Sequence, residues 1–540
     1  MGFGITRRQT LATGLAGAAA LGMSASAGAA VRTTAPVDTT AGKVRGLRKR
    51  GVSVFLGIPY GADTAMRRFL PPVAPAPWPG VRDCLMLGHQ APQMDLAATT
   101  APGADLSTPF VKKVQAAGKQ GVEIGNEGED CLVLNVYTPE ASPARKRPVM
   151  VWLHGGGFAM GSAGDPQYEG SALCRRGDVV VVGINHRLNA LGYLYLGGLH
   201  ADFADSGNNG QLDIVLALQW VRDNISQFGG DPGNVTIFGE SGGGAKVSVM
   251  LAMPAARGLF HKAIIQSGPS LTVGELDAAA RHADATLTKL GIARADVHKL
   301  QSMDYRTVIS AAATAQPGPM RVMAPVLDGR ALPRHPFHPD APETARGIPL
   351  MIGTTRDEAT LFMSADPLFG RMSEEQVRER ARRMAGSRGD AAIEVFKALR
   401  PGDAPFYWLT SLATAQGAWS GSIRLAERKL AQGDPVFMFR LDWTAPFEGG
   451  VLKSPHGLDT PLAFDNPGTR PLMNGTGPEP RIIAARMSQA WINFARSGNP
   501  SQPGLVWPAY DLAERQTMIF DVASQVVRDP DGPARTLLAS

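Results

Sequence analysis

Five short stretches of this chain are almost wholly apolar: Pro148–Leu153, Val179–Ile184, Asn234–Phe238, Ala263–Gln266 and Pro349–Ile352. A strand wet on one face alternates apolar with polar residues, so runs without alternation imply strands covered on both faces. Longer segments with apolar residues at helical spacing lie between them, such as Leu212–Phe228, which the Gly229-Gly230-Asp231-Pro232 cluster stops before the next run. Alternating strands and helices predict βαβ crossovers, hence an α/β fold with a large, mostly parallel central sheet covered by helices. A chain of 540 residues exceeds an average domain, yet one such sheet can organise it.

Charge and cysteine content narrow the partners. Lys and Arg number 54 and Asp and Glu 48, a net charge of +6, and the excess is scattered except at Arg45–Arg50, which reads as a solvated hairpin. Without a basic stripe no nucleic-acid partner is expected. Three cysteines, Cys84, Cys131 and Cys174, with no C-x-x-C, exclude a disulfide framework and a cysteine zinc site. His335 and His338 form H-x-x-H in a proline-rich loop without a third ligand, and read as surface; no metal is expected.

At the N-terminus Thr6-Arg7-Arg8-Gln9 precedes an apolar run, Leu11–Met23, and small residues that offer A-x-A cleavage at Ala25–Ala27 or Ala27–Ala29. Residues 1–30 therefore read as an export signal of the twin-arginine type, with Sec export as the alternative, and the protein is expected in the periplasm or secreted. Their removal would leave a net charge of +4. No segment has about eighteen uninterrupted apolar residues, so no membrane span is expected. Residues 31–540 are expected to form a single domain, with helical cap insertions at about 274–342 and 372–430 where helical patterns interrupt the strand series. Met94–Gly128 lacks clear periodicity and is expected as a lid or rim loop at the mouth of a site.

The chemistry centres on Gly239-Glu240-Ser241-Gly242-Gly243, a G-x-S-x-G between the strand run Asn234–Phe238 and a small-residue helix candidate, Gly243–Ala252. Strand, sharp turn and helix are the setting of a nucleophile elbow, and the glycines let the strand and helix approach closely. A serine attacking an ester carbonyl creates an oxyanion, which needs backbone N–H donors already in place. His154-Gly155-Gly156-Gly157-Phe158 follows the run Val149–Leu153 and supplies them: Gly156, Gly157 and Gly242 are the expected oxyanion hole. The base of such a site follows the serine and the acid in the chain, so His154 reads as structural. Of ten histidines only His456 lies in the last two hundred residues, in a loop after the strand candidate Val436–Asp442. For the acid, Asp357 and Glu358 stand just past a buried run, Asp328 and Asp459 lie in other loops, and periodicity does not choose between the first two. Phe158, Leu361 and Phe362 are expected to line an apolar substrate pocket.

Gly42–Gly46, Phe55–Tyr60, Glu129–Val136, the H-G-G-G-F loop, Asn185–Leu188, Gly207–Gly210, Phe228–Pro232, the G-E-S-G-G elbow, Phe260–Gly268, Asp357-Glu358, His456-Gly457 and Gly498–Pro500 together resemble the type-B carboxylesterase and cholinesterase family of α/β-hydrolases, over roughly residues 42–525. That resemblance implies a serine esterase of the α/β-hydrolase fold with the triad Ser241, Glu358 and His456. It implies an acyl-enzyme, a small-molecule ester as substrate and no cofactor. It assigns Glu240 and Ser267 a supporting role behind the histidine. Three positions depart from the family pattern: Ala359 replaces the glycine of D-E-G, Gly242 replaces an alanine in the elbow, and Ala91-Pro92-Gln93 stands where a C-P-Q cysteine often pairs with the residue here numbered Cys131. Cys84 lies seven residues before Ala91, so the usual disulfide is not implied. The alternative functions are an amidase or acyltransferase with the same triad, and a non-catalytic binding protein on the same scaffold, which would need a lost nucleophile or base.

Overall fold

The computed structural model describes residues 32–94, 105–119, 126–315 and 323–539. The expected export signal lies outside the described residues.

Eleven strands form the main sheet: β1 Leu47–Lys49, β2 Val52–Pro59, β3 Val133–Thr138, β4 Arg147–Leu153, β5 Val180–Ile184, β6 Gly230–Glu240, β7 Lys262–Gln266, β8 Leu350–Thr355, β9 Val436–Leu441, β10 Gln516–Phe520 and β11 Gln525–Arg528. Their spatial order is β11-β10-β9-β8-β7-β6-β4-β5-β3-β2-β1. Every neighbouring pair from β10 across to β5 is parallel, and antiparallel pairs occur only towards the two edges. Strand β4 shows why the runs are apolar throughout. Val149, Val151 and Leu153 face one helical layer with Ile214 and Leu218 of the helix Asn209–Asn224, while Met150 and Trp152 face the other with Met487 and Trp491 of the helix Glu479–Ser497. The helix Asn209–Asn224 continues as a 3-10 turn to Phe228 and stops at Gly229, whose φ of +82° suits a residue without Cβ. Of the basic run Arg45–Arg50, Leu47–Arg50 lie in a hairpin, β1 turning at Arg50 and Gly51, both with positive φ, into β2, whereas Arg45 ends the strand Gly42–Arg45 of a separate three-stranded sheet.

Residues 276–314 contain the helices Leu276–Leu290 and Tyr305–Thr314, which pack Leu287 and Val308 with Leu191 and Leu196. Residues 374–430 contain Glu374–Ala385, Gly389–Leu399, Pro405–Thr414 and Ser420–Leu430, the last two joined by a π-helical turn, and the first three pack around Val377, Ile393 and Leu409. The stretch Met94–Gly128 differs from the irregular loop expected of it, because Pro109–Lys119 is a helix. Val111 and Val114 are buried and Phe110 stacks on Phe369 at 5.0 Å, so a helical face exists that the surrounding Ala, Gly and Thr obscure. Among the described residues no helix is long and apolar enough to cross a membrane.

Candidate active site

Strand β6 delivers Ser241 to the start of the helix Gly242–Met250 at φ 55° and ψ −123°, a conformation a residue with a side chain adopts only under constraint. The constraint is local. Its N–H donates to the carbonyl of Gln266 at the end of β7 (2.8 Å), and strand, turn and helix are so close that a Cβ on Gly243 would stand 2.0 Å from the Leu153 carbonyl. Ser241 faces a cavity of about 280 Å³ whose wall includes Gly155, Gly156, Gly157, Leu361, Phe362 and His456.

The four candidate acids separate by what each touches. Asp357 turns away to Arg356 Nε (2.9 Å) and the Ser454 N–H (3.2 Å). Asp328 organises a turn through the N–H groups of Arg330 and Leu332. Asp459 accepts from Gln266 Nε2 at 2.8 Å. Glu358 alone reaches the imidazole: its Oε2 is bonded to His456 Nδ1, while its Oε1 accepts from Ser267 Oγ (2.5 Å) and the Thr355 N–H (2.7 Å). Glu358 begins a short helix, Glu358–Met363, directly after β8, so the strand's carboxyl end fixes where the carboxylate stands. Ser267, one residue past β7, holds the other side of that carboxylate.

Glu240 is the second carboxylate at the histidine. Its Oε1 lies 3.2 Å from His456 Nε2, at an angle that makes no hydrogen bond, and has no other partner among the described residues. No hydrogen bond among the described residues joins Ser241 Oγ to His456. Burial disfavours the imidazolium, but the charges of Glu240 and then Glu358 outweigh it and raise the His456 pKa to about 9. Burial raises Glu240 above the usual carboxylate range, and burial with Glu240 nearby pushes Asp459 up to about 8. His154, by contrast, is buried and held near 3, its ring stacked on His186 at 4.7 Å.

Leu361 and Phe362 line the cavity, the Phe362 ring 4.8 Å from that of His456, but Phe158 does not. Its ring packs edge-on to the buried Tyr193 at 5.2 Å. Met160 and Arg470 from loops, Gln167 and Tyr168 from the 3-10 helix Pro166–Tyr168 and Thr460 from the short helix Asp459–Ala463 also stand on the wall, in segments that carry no motif. All three cysteines are buried free thiols, so the disulfide common in relatives is absent here.

Residues 33–533 match the family model described as the carboxylesterase family. The chain belongs to the carboxylesterase family. Its activity class is carboxylic ester hydrolysis, and its fold is that of the α/β-hydrolases. The carboxylesterase is 35% identical over 511 residues to the para-nitrobenzyl esterase of Bacillus subtilis (strain 168), covering 93% of this chain and 98% of the relative. It is 30% identical over 525 residues to the phenmedipham hydrolase of Pseudarthrobacter oxydans, with 92% and 97% covered. The crystal structure of a Geobacillus stearothermophilus carboxylesterase at pH 6.2 superposes with a TM-score of 0.79 at 37% identity, covering 93% of this chain and 99% of that one.

Proposed function

We propose that this carboxylesterase is an exported serine esterase that works through an acyl-enzyme on Ser241. The observation that carries the reading is the bond from His456 Nδ1 to Glu358 on a cavity whose wall also holds Ser241 in its strained turn. With Nδ1–H donating to Glu358, Nε2 of the neutral imidazole is the nitrogen that takes the Ser241 proton. The serine oxygen then attacks the ester carbonyl. The N–H groups of Gly156, Gly157 and Gly242 receive the oxyanion, and the same imidazole returns the proton to the leaving alcohol. Water, deprotonated by His456, releases the acid and restores the serine. No step calls on a metal or organic cofactor. The cavity, about 280 Å³, falls just below the ~300–1,000 Å³ range for ligand pockets, which favours small esters, and the name of the para-nitrobenzyl esterase relative points to benzyl esters among them.

The test is turnover of p-nitrophenyl esters from acetate to laurate by wild type and Ser241→Ala. Wild-type hydrolysis that falls off with acyl length and is lost in the variant supports the reading; equal rates in the two would refute the nucleophile assignment. Export by the twin-arginine route rests on Arg7 and Arg8 before the apolar run. Replacing both arginines by lysine should trap the precursor in the cytoplasm, and normal export of that variant would return the reading to the Sec route.

A further inference from the structure

The helix behind the nucleophile, Gly242–Met250, is built of Gly, Ala, Val, Ser and Met except for one residue, Lys246, whose side chain is fully buried. Its hydrogen bonds among the described residues go to two backbone carbonyls, those of His154 (2.9 Å) and Gly157 (2.8 Å), and the Phe158 ring lies 5.5 Å away. A buried ammonium without a bonded carboxylate lowers stability, and here burial pushes its pKa down to about 7. A methionine of similar length would fill the same space without that penalty, so packing does not account for the charge.

The carbonyls it holds belong to the glycine loop. A trans peptide points its C=O and its N–H in opposite directions. The Gly155 carbonyl accepts from His154 Nδ1 (2.9 Å), which leaves the Gly156 N–H facing the other way; the Gly156 carbonyl accepts from the Met160 N–H (3.1 Å), which does the same for the Gly157 N–H. Neither N–H has a partner among the described residues. The two peptides that flank this donor pair, 154–155 and 157–158, are the two whose carbonyls Lys246 binds. The loop is also drawn tight against the elbow: a Cβ on Gly242 would lie 2.2 Å from the Gly157 carbonyl oxygen and 2.4 Å from its nitrogen.

We propose that Lys246 is a positioning residue of the oxyanion hole: by donating to the carbonyls of His154 and Gly157 from behind, its ammonium clamps both ends of the Gly156–Gly157 segment and aims those N–H groups at the reacting oxygen. This rests on the acyl-transfer reading above. Loss of the clamp weakens donors that matter in the transition state more than in the bound ester, so it lowers kcat and spares KM. The size is set by the donors it aligns, each worth ~100-fold or more when removed outright; misalignment is expected to cost about 10- to 100-fold.

The experiment compares wild type, Ser241→Ala, Lys246→Met and Lys246→Gln for kcat and KM on p-nitrophenyl acetate and butyrate, for melting temperature, and for inhibition by a trifluoromethyl ketone, which forms an oxyanion on the serine. Lys246→Met should melt at or above wild type, keep KM within about threefold, lose kcat about 10- to 100-fold and bind the ketone more weakly by a similar factor. Lys246→Gln, which retains two N–H donors, should recover part of the loss. Wild-type kcat in Lys246→Met, a melting temperature well below wild type, or a glutamine variant slower than the methionine one would each overturn the proposal. Absence of Ser241-dependent turnover in wild type would overturn the reading it rests on instead.

Discussion

Removing the Glu240 carboxylate should make the enzyme faster near neutral pH. His456 stands between two carboxylates, Glu358 bonded at Nδ1 and Glu240 3.2 Å from Nε2, and its pKa is held at about 9 against an ordinary 6.5. At pH 7 only about 1% of the imidazole is then free to accept a proton. Glu240 is the largest of the influences raising it, and a single opposite charge at this range shifts a pKa by about 1–3 units. With Glu358 still in place, Glu240→Gln should lower the His456 pKa by about one to two units. Taking away a negative charge destabilises the imidazolium, so the base is free at lower pH. The acid limb of kcat/KM should move down by the same one to two units, and kcat/KM at pH 7 should rise about tenfold or more. The assay is the pH profile of kcat/KM from pH 5 to 10 on p-nitrophenyl butyrate, corrected for spontaneous hydrolysis, for wild type and Glu240→Gln. A limb that stays in place or moves up would refute this account of the histidine's electrostatics.

Three further outcomes follow from the same geometry. Glu358→Gln keeps the shape but can donate to Nδ1 and so favours the wrong tautomer; kcat should fall about 10⁴-fold with little change in melting temperature. Gly242→Ala, although alanine is usual in relatives, should slow kcat here by at least about tenfold, because its Cβ would meet the Gly157 backbone, and steady-state kinetics decide it. The thiols of Cys84, Cys131 and Cys174, buried and with Cys84 pushed up to about 12, should be silent to Ellman's reagent in the native protein and titrate as three in denaturant.

Much of the architecture is legible in the chain because burial on both faces leaves a plain mark. The runs Pro148–Leu153, Val179–Ile184 and Pro349–Ile352 are β4, β5 and β8 to within a few residues. The elbow is readable for a related reason: strand, pentapeptide and helix are contiguous, so sequence order is spatial order. The acid is readable only through the family resemblance and not from local pattern, since Asp357 and Glu358 are neighbours, and the direction each takes from the end of β8 sends one to Ser454 and the other to His456. Phe158 stands beside the glycine loop in sequence, yet its ring packs on the buried Tyr193 and is not on the cavity wall, a choice of side that local pattern does not record. Arg470 and Tyr168 reach the cavity from distant segments that nothing local marks. Lys246 did leave a signal, one charge in an otherwise small and apolar helix, which helical pattern alone does not connect to carbonyls 89 and 92 residues away.

The most direct test of the acyl-transfer account is to quench the enzyme within milliseconds of mixing with a p-nitrophenyl ester and locate the acyl group by peptide mass spectrometry. The account predicts the acyl mass on Ser241, decaying at the rate of turnover and missing from Ser241→Ala. An acyl group on another residue, or turnover that persists in the variant without any acylated serine, would contradict it.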